Sequence, residues 1–142
     1  MKKINFISIF LAGFSFLVII SFFTVFYLGF LDKNLESVSP VEFAENVVNN
    51  EDIILIDVRT SKEFSEGHLP GAVNIDYHSF DFKDAISEMD RKERYAIYCR
   101  SGRRSARVLS LMEDMGFRYV IDLSGGIDLL ANVGEAVEYF EK

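Results

Sequence analysis

Cys99 is the only cysteine among the 142 residues, and the residues around it are of the types that make a thiol reactive. The stretch reads Tyr95-Ala96-Ile97-Tyr98-Cys99-Arg100-Ser101-Gly102-Arg103-Arg104-Ser105. An apolar run that reads as a strand leads into the cysteine. A glycine and three arginines follow, and then a segment with helical periodicity. A strand, a tight loop and a helix in that order aim successive backbone N–H groups into one concavity. A thiol at the start of such a loop faces N–H donors, a helix N-terminus and nearby guanidinium groups. Each of these favours the thiolate, which is the nucleophilic form. A lone cysteine is otherwise most often a small buried hydrophobe, but an inert core thiol has no need of this surrounding charge.

Charge is concentrated at the same place. The chain carries a net charge of −7, which excludes a general nucleic-acid binder. Between Arg91 and Arg107, however, seven basic residues stand against Glu93 alone, a local +6, so the remainder sums to −13. A positive focus in an acidic chain suits a small anionic substrate. Arg100, Ser101, Gly102, Arg103 and Arg104 are therefore the candidate substrate-binding residues beside Cys99. No pattern of metal ligands or cofactor-binding glycines is present, and none of either kind is expected.

The elements that must position this loop alternate between strands and helices. Ser39-Pro40-Val41-Glu42 is a helix start, with serine at the cap, proline at the first helical position and glutamate three residues after the cap. Phe43, Ala44, Val47 and Val48 follow at helical spacing, and Asn49-Asn50 ends the helix. Ile53 to Val58 is a continuous apolar run interrupted only by Asp57. Such a run suits a strand covered on both faces, as in parallel α/β sheets. Gly67-His68-Leu69-Pro70-Gly71 is a turn, and Ala72 to Ile75 a short strand. Phe80 to Met89 is weakly helical. Arg104 to Met115 is amphipathic, with Val108, Leu111, Met112 and Met115 inward and Gly116 closing it. Tyr119 to Leu123 is another strand, Gly125-Gly126 a loop, and Ile127 to Leu130 and Glu135 to Phe140 are helical. The expectation is an α/β fold with a parallel sheet, whose ligands lie beyond the carboxyl ends of the strands.

The N-terminus differs in kind. Lys2 and Lys3 precede a run from Ile4 to Leu31 without a single charge. Those residues would rise about 42 Å as a helix, enough to cross a hydrocarbon core of ~30 Å with tilt. A cleaved signal peptide is the rival, but the end of the run, Phe26-Tyr27-Leu28-Gly29-Phe30, is too bulky for a small-residue cleavage site. The resulting division is a transmembrane signal anchor over 1–31, a linker over 32–38 and a domain over 39–142. The two lysines favour a cytoplasmic N-terminus and hence an extracytoplasmic domain, periplasmic or on the cell surface.

Four separated segments together resemble the rhodanese family in order and spacing: Ile56-Asp57-Val58-Arg59 with Glu63-Phe64; Gly67-His68-Leu69-Pro70-Gly71-Ala72-Val73-Asn74-Ile75; Tyr98 to Ser105; and Leu123-Ser124-Gly125-Gly126-Ile127. The likeness spans roughly Ser39 to Glu141. It implies a three-layer fold with a central parallel sheet flanked by helices. It also implies a sulfurtransferase in which Cys99 takes a sulfane sulfur from a donor such as thiosulfate. The resulting persulfide then gives that sulfur to a thiol or to cyanide. Within the resemblance, Asp57 and Arg59 are supporting residues, with Arg59 paired to a carboxylate and bracing the loop. His68 is expected to be a hydrogen-bonded structural residue, and His78 has no supporting context. The sequence departs from the family after Gly126, where Leu130 stands about where a tryptophan is frequent, and again at Gly134-Glu135-Ala136.

Three other functions compete. A phosphatase on the same fold uses a loop one residue longer; here Arg104 lies five positions after Cys99, and Ser105 stands where the phosphatase arginine would be. A non-catalytic binding or regulatory module at the membrane would commonly lack the cysteine. A thiol redox protein would need a resolving partner, which a lone cysteine does not have. Oligomeric state is not legible in the sequence.

Overall fold

A computed structural model describes residues 6–31, 33–47 and 50–132, with side chains described from residue 15 to 27 within the first helix. The chain divides into two compact units, Met1–Lys33 and Asn34–Lys142. The expected helix Glu135 to Phe140, the Gly134-Glu135-Ala136 segment, Val48, Asn49, Asp32 and the two N-terminal lysines lie outside the described residues.

The first unit contains helix α1, Phe6–Leu31. The helix expected from the uncharged run is therefore present, but the membrane placement built on it is corrected. Among the described residues, no helix is long and apolar enough to cross a membrane. The anchor, the membrane partner and the extracytoplasmic location are accordingly set aside.

The second unit is built from β1 (Asn34–Val38), α2 (Pro40–Val47), β2 (Ile53–Asp57), α3 (Ser61–Ser65), β3 (Val73–Asn74), α4 (Phe82–Ser87), β4 (Arg94–Tyr98), α5 (Arg103–Asp114), β5 (Tyr119–Leu123) and α6 (Gly126–Leu130). The strands form one sheet in the order β1-β5-β4-β2-β3, and every pairing is parallel. Strand β4 is central, and after Arg94 all of its residues are buried. Its alternate side chains feed two cores. Tyr95, Ile97 and Cys99 pack with Val108, Met112, Phe82 and Ile86 from α5 and α4 on one face. Ala96 and Tyr98 pack with Phe43, Val47, Ile127 and Leu130 from α2 and α6 on the other. Each fully buried side chain such as Val108 or Met112 contributes about 1.5–3 kcal/mol relative to leaving it in water.

Local sequence explains most element ends. Ser39 and Glu42 form the expected reciprocal cap of α2: the Glu42 N–H donates to Ser39 Oγ, and the Ser39 N–H donates to Glu42 Oε2 at 3.0 Å. A second such cap opens α3, where Thr60 and Glu63 exchange the same pair of bonds. The one element misassigned from sequence is β1. Residues 34–38 lie in the segment read as a linker, yet they add a parallel edge strand against β5, with Ser37 opposite Asp122. Asn-Leu-Glu-Ser-Val lacks the continuous apolar run of the inner strands because an edge strand buries only part of its surface. Leu35 faces one core and Val38 the other.

Candidate functional site: a thiol cradled at the carboxyl end of the sheet

Cys99 follows directly after β4, the central strand, so the loop it opens lies at the carboxyl ends of the parallel strands. The loop carbonyls are turned outward and held there. Ile127 N–H donates to Cys99 O at 2.9 Å and Asp128 N–H to Arg100 O at 3.1 Å. The first turn of α6 thus uses two of its otherwise unpaired N–H groups on the loop, which leaves the loop's own N–H groups free to face the thiol.

Two glycines allow this approach. Gly102 has φ +81°, and a Cβ there would sit 2.9 Å from Gly125 N. Gly126 has φ +67°, and a Cβ there would lie 2.4 Å from Arg100 O and 2.6 Å from Cys99 O. Any side chain at Gly126 would collide with backbone that cannot swing away.

Cys99 itself is 1% exposed. Burial raises the thiol pKa, but the backbone N–H and hydroxyl of Ser105, with the N–H groups of Arg104 and Ser101, outweigh it and hold Cys99 below its ordinary value. The Ser105 hydroxyl donates toward Sγ at 3.6 Å and toward Gly102 O at 3.2 Å. Ser105 is fully buried on the face of α5 that meets the sheet.

The sequence-predicted arginines separate into distinct uses. Arg104 is bidentate on Glu63, with Nη1 to Oε2 at 2.8 Å and Nη2 to Oε1 at 2.9 Å. Its guanidinium holds this carboxylate and also acts on the Cys99 thiol, and both keep it charged. That pairing, with the Thr60 cap, lowers the Glu63 pKa to about 2. Arg104 thereby ties the end of the Cys99 loop to α3. Arg100 points to Asp128 at 3.2 Å in an exposed pair. Arg103 makes no ion pair among the described residues, and neither does Arg107. These two, with Arg100, Ser101, Arg104, Tyr77 and His78, line a cleft of about 330 Å³ beside the loop. Cys99 does not line it. His78 therefore acquires a location that sequence did not supply.

The carboxylate that Arg59 meets is Asp57. Arg59 Nε donates to both carboxylate oxygens of Asp57 at 3.0 and 2.8 Å, and Nη2 donates to Asp57 Oδ2 at 2.6 Å and to Gly67 O at 2.7 Å. The pair is buried, beneath the turn that carries His68. The Tyr98 hydroxyl accepts from Leu69 N–H in the same turn at 3.1 Å, and Arg59 lies 5.7 Å from the centre of the Tyr98 ring. His68 is structural in its contacts: Nδ1 is 3.0 Å from Phe64 O, and the ring stacks on Phe64 at 3.7 Å.

Three residues of the site were not singled out from sequence: Glu63 as the partner of Arg104, Ser105 as a donor to the thiol, and Asp122 behind Ser105. The Thr60-x-x-Glu63 spacing was visible as a cap pattern. A lone acid inside the apolar run Tyr119 to Leu123 was the available sign for Asp122.

The rhodanese-like domain family matches this chain over residues 39–132. The chain belongs to that family. It is 29% identical over 100 residues to a protein named sulfurtransferase from Allochromatium vinosum, covering 70% of this chain and 92% of that one. It is 31% identical over 93 residues to the putative sulfurtransferase YtwF of Bacillus subtilis, covering 66% and 87%. Among solved structures, a rhodanese-like domain protein from Staphylococcus aureus superposes with a TM-score of 0.61 at 26% identity, covering 75% of this chain and 96% of that one.

Proposed function

We propose that this rhodanese-family protein is a sulfurtransferase that carries a sulfane sulfur on Cys99. The observation that carries the reading is the six-residue loop from Cys99 to Arg104, whose amides, with those of Ser105, converge on one buried thiol of lowered pKa. Such a cradle stabilises a thiolate and, equally, the anionic outer sulfur of a persulfide. Its size suits one added sulfur atom. The relatives named as sulfurtransferases support the same reaction class.

The donor is a small anionic sulfane compound such as thiosulfate, drawn by Arg103 and Arg107, which make no ion pair among the described residues, and by the loop arginine Arg100. The Cys99 thiolate attacks the sulfane sulfur. A new S–S bond forms, the S–S bond of thiosulfate breaks, and sulfite leaves with the electron pair. In the second step an acceptor thiolate or cyanide attacks the outer sulfur, and the Cys99 thiolate is the leaving group. No net oxidant or reductant is required.

The test is mass spectrometry of the intact protein after thiosulfate. Cys99 should gain one sulfur atom, and cyanide or a small thiol should remove it. Cys99→Ser should take up none while keeping its fold. A wild-type protein that gains no sulfur from thiosulfate or from a more reactive polysulfide would end this reading.

A further inference from the structure

Asp122 is a buried carboxyl group that the proposed reaction leaves unused. It is 1% exposed on β5, and its Oδ1 has no hydrogen-bond partner among the described residues. Buried polar atoms are almost always paired, so an orphan beside a reactive loop calls for a cause. Its position is defined by the sheet. Asp122 is opposite Ile97 of β4 and shares its face of β5 with Val120, which packs in the core beneath α5. Cys99 lies two residues beyond Ile97 and packs in that same core. Asp122 and Cys99 are thus diagonal neighbours on one face of adjacent strands, and the first turn of α5, with Ser105, covers both. On the far side, Ser37 of β1 donates from Oγ to Asp122 Oδ2 at 2.9 Å.

Among the described residues no charged group bears on this carboxyl. Burial raises its pKa, while the hydroxyls of Ser105 and Ser37 work weakly the other way. Burial without a counter-charge shifts this carboxyl toward its neutral form relative to a carboxyl in water, and the neutral form has a proton to donate. Ser37 occupies Oδ2, so that proton belongs on Oδ1, the oxygen that finds no donor to accept from. The Ser105 hydroxyl has a single proton of its own. When its oxygen accepts from Asp122, that proton is left for Sγ or for Gly102 O.

We infer that Asp122 is a positioning residue for the nucleophile: anchored by Ser37, it donates to the Ser105 oxygen and so turns the Ser105 proton toward Cys99 Sγ. The inference rests on Cys99 being the working thiol of the proposed reaction. The chain Ser37, Asp122, Ser105, Cys99 links an edge strand to the centre of the sheet through three hydroxyl or carboxyl groups. It explains why a carboxyl is tolerated where an apolar residue would pack.

The experiment measures the pH profile of Cys99 alkylation by iodoacetamide in the full chain, which reads the thiol without any sulfur donor. Ser105→Ala and Asp122→Ala should each slow alkylation at pH 7 about five- to tenfold, the scale of one lost hydrogen bond to a charged group, and move the profile to higher pH. Asp122→Asn, whose amide N–H replaces the acid's O–H, should stay within about twofold of wild type on the same scale. In a Ser105→Ala background, Asp122→Ala should add nothing, since it acts through that hydroxyl. Should Asp122→Ala fail to fold, Ser37→Ala on the exposed edge strand takes its place, with an expected slowing of about two- to threefold. An unchanged profile in folded Asp122→Ala or Ser37→Ala overturns the inference. So does a loss in Asp122→Asn equal to that in Asp122→Ala, or a full effect of Asp122→Ala on top of Ser105→Ala. Absent sulfur uptake with these profile shifts intact counts against the sulfur-transfer reading alone.

Discussion

Two buried aspartates flank the end of β4. Asp57 on β2 is opposite Tyr98, and Asp122 on β5 is opposite Ile97. The first is saturated: one guanidinium takes both oxygens, and the Arg59 N–H adds a bond to Oδ1 at 2.8 Å. Among the described residues the second has no cation, a direct bond from Ser37 and an oxygen without a partner. Similar chemistry on the two sides of one strand therefore does different things. A charge pair with every lone pair engaged is a brace, and it holds the Gly67 turn by the same arginine. An isolated carboxyl in an apolar setting is driven towards its neutral form, where it can donate as well as accept. The difference separates what holds the loop in place from what adjusts the thiol inside it.

The comparison can be broken most severely at the brace. Asp57→Ala leaves Arg59 buried without a counter-charge, and the expected loss is about 3–5 kcal/mol, read as a lower urea midpoint at unchanged slope. A loss below 1 kcal/mol would mean that Arg59 is served by the Gly67 carbonyl alone.

Gly126→Ala tests the seam between the two sides. Its Cβ would press on Arg100 O and Cys99 O in a backbone region that favours glycine, and the expected cost is about 2–3 kcal/mol. Because those carbonyls hold the loop open, sulfur uptake by the folded fraction should also fall. Uptake equal to wild type would show that the cradle survives a shifted α6.

Glu63→Gln reports on the link between α3 and Arg104. The pair is partly exposed, so a loss of about 1–2 kcal/mol is expected at pH 7. The sign of its pH dependence follows from the lowered pKa. Glu63 contributes fully above the ordinary value of 4.5 and loses its contribution as pH falls through about 2. Wild type and variant should therefore converge in acid, which urea titrations at pH 7 and pH 3 can measure.

Asp122→Asn should have the smallest effect on stability, within about 1 kcal/mol, and the opposite pH trend. A carboxyl whose pKa is raised by folding costs nothing below its unfolded value near 3.8 and becomes a burden as pH rises through its folded value. The variant should gain on wild type as pH rises from 4, where the Glu63 variant falls behind. Parallel trends for the two would erase the distinction between brace and adjuster.

The inner strands, the α5 amphipathic face, the cap of α2 and the loop after Cys99 were legible in sequence because each is written in neighbouring residues. Apolar runs, a Ser-Pro-x-Glu start and a cysteine before a glycine need no distant partner to be read. The partner of each charge was not legible in that way. Arg104 lies 41 residues from Glu63, and nothing local says that its guanidinium is taken. Asp57 and Arg59 stand two residues apart, yet the sequence gives only that Arg59 pairs with some carboxylate, and the fold makes it Asp57.

What the sequence determined by itself is the chemistry available: one thiol, a glycine-bearing loop, a surplus of arginine and the strand that delivers them. Which arginine is free and which carboxyl is neutral was decided by tertiary structure. So was the fate of residues 34–38, whose polar strand reads as a tether until β5 supplies the hydrogen bonds along its edge. The physical reason is common to all three. A side chain's charge state and a strand's existence depend on what desolvates and pairs them, and those partners come together only when the sheet is assembled.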